Sequence, residues 1–147
     1  MAKIKGYTMP DDLYYHQNHT WVRLENDGTA TVGMTEFYSR MAGDTTYVDL
    51  PEEDDDIEQG DTAGKIQSSK WVGKLVAPIS GTIVEINENL EDDFMLLNTD
   101  PYGDGWIMRI EPSNLDEDLA NLFHERDDVE KFLEREIVTA EGGGDAE

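Results

Sequence analysis

The sequence predicts a mainly β fold, a small antiparallel β-sandwich or flattened barrel with C-terminal helices packed on it. Three observations predict it: short segments in which apolar and polar residues alternate, turn residues between those segments, and a change to helical spacing near the C-terminus. The chain has 147 residues, which suits one domain with a modest core. We place that domain at residues 1–138.

The first half of the chain is predicted to form strands around one short helix. Strands are expected at 19–24, 29–34 and 45–50. Thr35 can cap a helix that runs from residue 36 to 41 and stops at Gly43. The acidic run that follows, residues 52–56, is expected to be a loop.

The second half continues as strands and then changes period. Strands are expected at 62–67, 72–78, 81–86 and 106–110. Ser113 is the expected cap of a first C-terminal helix, whose apolar residues recur at helical spacing: Leu115, Leu119, Leu122 and Phe123. A second amphipathic helix is indicated by Val129, Phe132, Leu133 and Ile137. The C-terminal helices therefore cover about 113–138, and the acidic, glycine-rich segment 139–147 is expected to be a disordered tail.

Composition excludes several classes of function. The chain has no cysteine, so disulfides, zinc–cysteine sites and thiol nucleophiles are excluded. Its net charge of −23 argues against nucleic acid as a partner, because phosphate binding needs clustered basic residues. No apolar run reaches the ~20 residues of a membrane span. We expect a soluble, cytoplasmic monomer whose acidic surface is solvated, adapted to high salt, or used to dock basic partners.

Lys70 is the residue that carries chemistry. It lies between two predicted strands, with glycine turns near Gly60 and Gly81 on either side, so it is expected at the tip of a hairpin. A lone exposed lysine is usually only solvated. Here the neighbours Ser68 and Ser69 leave space around the side chain, and Trp71 is unusual at an exposed tip. We therefore predict that Lys70 is a site of covalent cofactor attachment.

Other candidate sites are weaker. His16 and His19 lie three positions apart, but in a loop leading into a strand, so hydrogen bonding is expected rather than a metal site. The paired carboxylates lie in loop-like runs, and none is singled out as a general acid or base. We therefore expect no catalytic residues, no metal and no enzymatic activity.

The chain resembles the H protein of the glycine cleavage system, a lipoyl carrier. The matching segments are His19 to Arg23, Ala30 to Thr35, Tyr47 to Pro51, Gly64 to Gly81 and Asn98 to Trp106. The resemblance implies a lipoyl-domain-like hybrid β-sandwich with lipoate attached to Lys70. It also implies a swinging arm that visits several partner enzymes, loaded first by a lipoate-attachment enzyme.

Five positions depart from the usual family pattern. Where the family usually has Glu-Ser-Val-Lys-Ala, this chain has Gln67-Ser68-Ser69-Lys70-Trp71. At two further positions the family usually has an acidic residue, and this chain has Thr20 and Lys74. We interpret Gln67, Ser68, Ser69 and Trp71 as the setting of the hairpin, and Thr20 and Lys74 as the environment of the arm and its cargo. A lysine within a few Å would oppose a cationic cargo by about a kcal/mol or more.

These departures resemble the H-protein-like lipoate-binding proteins that serve a sulfur-oxidising, heterodisulfide reductase-like system. On that resemblance we expect the arm to carry sulfur between a heterodisulfide reductase-like complex and other sulfur-transfer enzymes. The alternative is the H protein of the glycine cleavage system, which carries the aminomethyl group from glycine between the glycine cleavage enzymes. A biotin carrier and a scaffold without cofactor stay open as further alternatives, separated from a lipoyl carrier by intact mass.

Overall fold

Two antiparallel sheets face each other across a shared apolar core. The structure is a computed structural model that describes residues 3–4, 6–70 and 72–141. Its strands are β1 (Lys3–Ile4), β2 (Tyr7–Thr8), β3 (Tyr14–Tyr15), β4 (Thr20–Leu24), β5 (Ala30–Met34), β6 (Thr45–Asp49), β7 (Asp56–Ile57), β8 (Thr62–Ser68), β9 (Val72–Val76), β10 (Gly81–Ile86) and β11 (Met108–Pro112). Its helices are α1 (Glu36–Ala42), α2 (Asn89–Asp92), α3 (Leu96–Thr99), α4 (Leu115–Ala120) and α5 (Arg126–Glu141).

The sheets confirm the predicted fold class. The larger has six strands in the order β3-β4-β5-β11-β10-β7, and the smaller has three in the order β6-β8-β9. Strands β1 and β2 form a separate two-stranded ribbon. The ladders between these strands are antiparallel. In the part of the chain that the structure describes, no helix has the length and hydropathy needed to cross a membrane.

The main core fills the space between the two sheets. Val22, Val32 and Ile110 enter it from the larger sheet, and Ile66 and Leu75 enter it from the smaller one. All five side chains are fully buried. Full burial of a side chain of this size contributes about 1.5–3 kcal/mol to the free energy of folding. This layer therefore fixes which face of the β8–β9 hairpin points inward.

A second core covers the opposite face of the larger sheet. Trp21 follows the sheet alternation and points away from Val22, into a cluster with Phe37 of α1 and Leu133 of α5. A Cβ atom at Gly33, the residue paired with Trp21, would lie 2.5 Å from the indole ring. Glycine therefore lets the indole lie flat on β5, and β4 is buried on both faces.

The C-terminal segment differs from the prediction in three details. The cap of α4 is Asn114 rather than Ser113, whose N–H instead donates to the Ser80 carbonyl as a continuation of β11. Phe123 is not helical, because it pairs with Tyr15 through two main-chain hydrogen bonds of 2.8 Å. Helix α5 continues to Glu141, beyond the expected limit of 138. The remainder of the expected tail, residues 142–147, lies outside the described residues.

Candidate cofactor-attachment site

Lys70 lies at the tip of the β8–β9 hairpin. The last pair of the ladder joins Gln67 to Val72, and Lys70 lies between them in the connection. The Lys70 side chain is exposed, as the sequence predicted. Ser68 is half-buried and pairs with Thr45 on β6, while Ser69 is exposed. The predicted role of Trp71 beside the attached group falls outside the described residues.

The main chain at Lys70 is anchored from outside the hairpin. The Lys70 N–H donates to the Ala42 carbonyl at 3.3 Å, and the Ser69 N–H donates to the Asp44 carbonyl at 2.9 Å. Ala42 is the last residue of α1, where carbonyls lack intrahelical partners. The hairpin tip thus supplies a hydrogen-bond donor to a carbonyl at the end of the helix. The same bond holds the tip in place, while the side chain of Lys70 extends into solvent.

The inner face of the hairpin rests on Tyr38. A Cβ atom at Gly73 would lie 2.2 Å from the Tyr38 hydroxyl oxygen, so the absence of a side chain there makes room for the phenol. Burial raises the pKa of Tyr38, which keeps the hydroxyl protonated at neutral pH. Helix α1 therefore supports the hairpin at two points, its last carbonyl and this ring.

The outer face of the hairpin carries Gln67 and Lys74. Gln67 lies in a row with Tyr47 and Val72, and Lys74 lies directly opposite Lys65. All of these side chains are exposed. Lys74 lies four positions after Lys70, so their Cα atoms are at most about 13 Å apart at about 3.3 Å per residue.

Thr20 lies in a different place from Lys74. It is on β4 of the larger sheet, paired with Met34 and fully buried, whereas Lys74 is on the exposed face of the smaller sheet. Among the described residues, the Thr20 Oγ1 atom has no hydrogen-bond partner. Thr20 and Lys74 therefore belong to different sheets. The role of both residues in the arm environment stays a prediction.

The histidines make hydrogen bonds, as expected. His16 Nδ1 accepts from the Asn18 N–H at 3.0 Å, and His124 Nδ1 lies 2.9 Å from the Leu13 carbonyl oxygen. His19 Nε2 lies 2.7 Å from Glu136 Oε1 on α5. Across residues 3–4, 6–70 and 72–141, no group of three or more His, Cys, Asp or Glu side chains could hold a metal ion.

Sequence reasoning missed the residues that hold the tip. Ala42, Asp44 and Tyr38 contact the hairpin across long sequence separations, and no local pattern marks them. Asn98 is a further residue of this kind, because its side chain binds main-chain groups of the segment that follows α1. A signal for Asn98 was present, since it belongs to one of the segments that resemble the H-protein family.

The geometry suits an attachment site better than a reaction centre. An amide-linked cofactor needs an exposed primary amine on a fixed main chain, and Lys70 meets both conditions. Lipoate fits here, since its carboxyl group needs only a primary amine, which the exposed Lys70 side chain would supply. A β-sandwich with one exposed lysine at an anchored hairpin tip defines a carrier domain of the lipoyl type.

Comparison with known proteins identifies the family. The model of the family described as "Glycine cleavage H-protein" matches residues 13–136. The chain is 41% identical over 134 residues to the "Probable glycine cleavage system H protein" of Thermococcus gammatolerans, covering 91% of this chain and 98% of the relative. It is 46% identical over 114 residues to the "Glycine cleavage system H protein" of Staphylococcus epidermidis, covering 78% and 89% of the two chains.

A solved structure agrees. The crystal structure of a glycine cleavage system H protein from Mycobacterium marinum matches with a TM-score of 0.68 and 33% identity, covering 76% of this chain and 97% of that one. The chain belongs to the glycine cleavage H-protein family. It is a lipoyl carrier, and its cofactor is lipoate, attached covalently to a lysine.

The expected specialisation in sulfur oxidation is not supported. The relatives and the structure described above are named for glycine cleavage, and none of these is named for a heterodisulfide reductase-like system. The sequence argument for sulfur rested on Thr20, Gln67, Trp71 and Lys74. It assumed that the two charge-changing positions lie close to the cargo, and the structure places Thr20 and Lys74 on different sheets.

Proposed function

We propose that this chain is the H protein of a glycine cleavage system, with lipoate attached to Lys70 and the aminomethyl group of glycine as its cargo. The observation that carries the proposal is the exposed Lys70 side chain on an anchored hairpin tip. The names of the relatives support the choice of glycine cleavage over other carriers of the same class.

Attachment uses the amine of Lys70 alone. The bond forms between Nζ and the carbonyl carbon of a carboxyl-activated lipoate, supplied with ATP by a lipoate-attachment enzyme. The activating group leaves with the electrons of the broken bond, and the ammonium nitrogen gives up two protons to become an amide N–H. The main chain of Ser69 and Lys70, held by α1 and the residue after its cap, fixes the point from which the lysine side chain extends.

The chain then acts by positioning. Attached lipoate supplies a pair of sulfur atoms that accept a group and hand it on. Tethering the arm to a fixed tip makes each handover local, which raises the effective concentration of the cargo at a docked enzyme. The partners on this proposal are the glycine cleavage enzymes and the lipoate-attachment enzyme. A net charge of −23 favours basic docking surfaces on them.

The test begins with the modification. The protein is produced beside a lipoate-attachment enzyme, and the adduct is measured by intact mass with peptide mapping. We expect one lipoyl group on wild type, none on Lys70→Arg, and an unchanged yield on the matched controls Lys65→Arg and Lys74→Arg, which alter the two opposed lysines of the same hairpin. An undiminished adduct on Lys70→Arg would overturn the assignment of the site.

The second step tests the cargo. Lipoylated protein is added to reconstituted glycine cleavage enzymes, and exchange of the glycine carboxyl carbon with labelled bicarbonate is measured. We expect exchange with wild type and only background with Lys70→Arg. Full lipoylation without exchange would keep the carrier and reject glycine cleavage as its pathway.

A further inference from the structure

The position of Lys70 depends on a short segment after α1. This anchoring turn, residues 42–44, supplies both carbonyls that accept from the hairpin tip: Ala42 accepts from Lys70, and Asp44 accepts from Ser69. The residue between them is Gly43, which ends α1 with φ of 81° and ψ of −162°. Any movement of the anchoring turn therefore moves the two carbonyl groups that accept hydrogen bonds from the tip.

Asn98 on α3 holds the anchoring turn from the other side. Its Nδ2 donates to the Gly43 carbonyl at 2.8 Å and to the Ser39 carbonyl at 3.2 Å. Its Oδ1 accepts from the Thr45 N–H at 2.9 Å. One side chain thus binds main-chain groups in the last turn of α1, within the anchoring turn and immediately after it. The Thr45 N–H shares a planar peptide unit with the Asp44 carbonyl, so its bond to Asn98 fixes the direction of that carbonyl. The Ala42 carbonyl shares its unit with the Gly43 N–H, which donates to the Ser39 carbonyl that Asn98 also binds.

The clearance between the turn and the tip is small. A Cβ atom built on Gly43 would lie 2.4 Å from Ser69 Oγ and 3.7 Å from Lys70 Cγ. A shift of the turn by a few tenths of an ångström is therefore transmitted to Ser69 and Lys70 rather than absorbed by empty space. Asn98 and Lys70 are thereby coupled through Gly43.

We infer that Asn98 is a positioning residue for lipoylation of Lys70, because its amide orients the turn to which the hairpin tip is hydrogen-bonded. The inference rests on the proposed attachment at Lys70. Modification requires the amine to meet an activated carboxyl group in a defined geometry, and a misplacement of about 1 Å can lower such a rate by about a hundredfold. Asn98 acts through the main chain of Lys70 and does not touch the reacting atoms.

The experiment compares Asn98→Ala with a matched asparagine elsewhere. Asn87 has the same bonding pattern: its Nδ2 donates to the Asp104 and Trp106 carbonyls at 2.8 and 2.7 Å, and its Oδ1 accepts from the Asn89 N–H at 3.2 Å. Apo-protein variants are titrated into a lipoate–protein ligase with lipoate and ATP, below the unfolding temperature of each. We expect kcat/KM to fall about tenfold for Asn98→Ala and to stay within about twofold of wild type for Asn87→Ala.

A second readout separates positioning from stability. Amide hydrogen exchange at Ser69 and Lys70 is expected to quicken in Asn98→Ala and to stay unchanged in Asn87→Ala. Equal kcat/KM values for the two variants, on a wild type that is lipoylated, would overturn the inference. If Asn98→Ala does not fold, Asn98→Asp is compared with Asn87→Asp, since aspartate keeps the acceptor and removes both donors. An unmodified wild type, or a modified Lys70→Arg, instead rejects the proposed function.

Discussion

Replacing Gly43 by alanine tests how tightly the anchoring turn and the lysine-bearing tip are packed. The backbone of Gly43, with φ of 81° and ψ of −162°, lies in a region that is essentially reserved for glycine. Holding another residue there costs about 1–3 kcal/mol. The new Cβ would also approach Ser69 Oγ to 2.4 Å. Crowding adds about 1 kcal/mol, the lower end of its usual range, because the hydroxymethyl group can rotate. We expect a total loss of about 2–4 kcal/mol.

The assay is urea unfolding followed by tryptophan fluorescence and circular dichroism, with the loss read as a lower midpoint at constant m. Gly28→Ala is the matched control, since Gly28 has φ of 91° and a Cβ there would meet nothing within 4 Å. It should lose only the backbone part, about 1–2 kcal/mol. Adding Ser69→Gly to Gly43→Ala should recover the crowding part, about 1 kcal/mol. A Gly43→Ala loss no larger than that of Gly28→Ala, with no recovery, would refute the reasoning.

Two further predictions concern groups away from the hairpin. Burial, and then the charge of His19, lower the pKa of His16. As the pH falls, the unfolded chain therefore takes up a proton at this histidine before the folded chain does. The free energy of unfolding should then fall as the pH drops below about 6.5. His16→Gln should flatten that slope between about pH 7 and 5 in urea titrations, and an unchanged slope would contradict it. The Tyr102 hydroxyl accepts from the Glu36 N–H at 3.0 Å and donates to the Thr8 carbonyl at 2.6 Å. Tyr102→Phe should cost about 1–3 kcal/mol in urea unfolding, against less than about 0.5 kcal/mol for the exposed Tyr47→Phe.

Local signals in the sequence predicted most of the regular elements. The strand at 81–86 and the helix after Thr35 were placed within a residue of their observed bounds, because alternation and capping act over a few neighbours. Strands β3 and β7 were missed, since two residues carry no period. Phe123 was assigned to a helix on its spacing, but its main chain pairs with Tyr15. That pairing joins distant segments and leaves no local trace.

Local sequence likewise predicted one part of the candidate site and not the other. The exposed hairpin position of Lys70 followed from turn residues and flanking strands, which are local features. The charge reasoning at Thr20 and Lys74 stays a prediction, because distance along the chain says little about distance in space. One residue became buried between sheets, and the other faces outward beside Lys65.

The sequence by itself determined a β-rich fold with one lysine at a hairpin tip, because periodicity and turn chemistry depend on adjacent residues; the carrier role followed from the resemblance to the H-protein family. Only the tertiary structure decided what holds that lysine. Tyr38 and the turn after α1 meet the hairpin, and Asn98 holds that turn in place, because two sheets and a helix pack around one core. Packing of that kind is set by the whole chain, so its contacts exist only once the sheets have closed on each other.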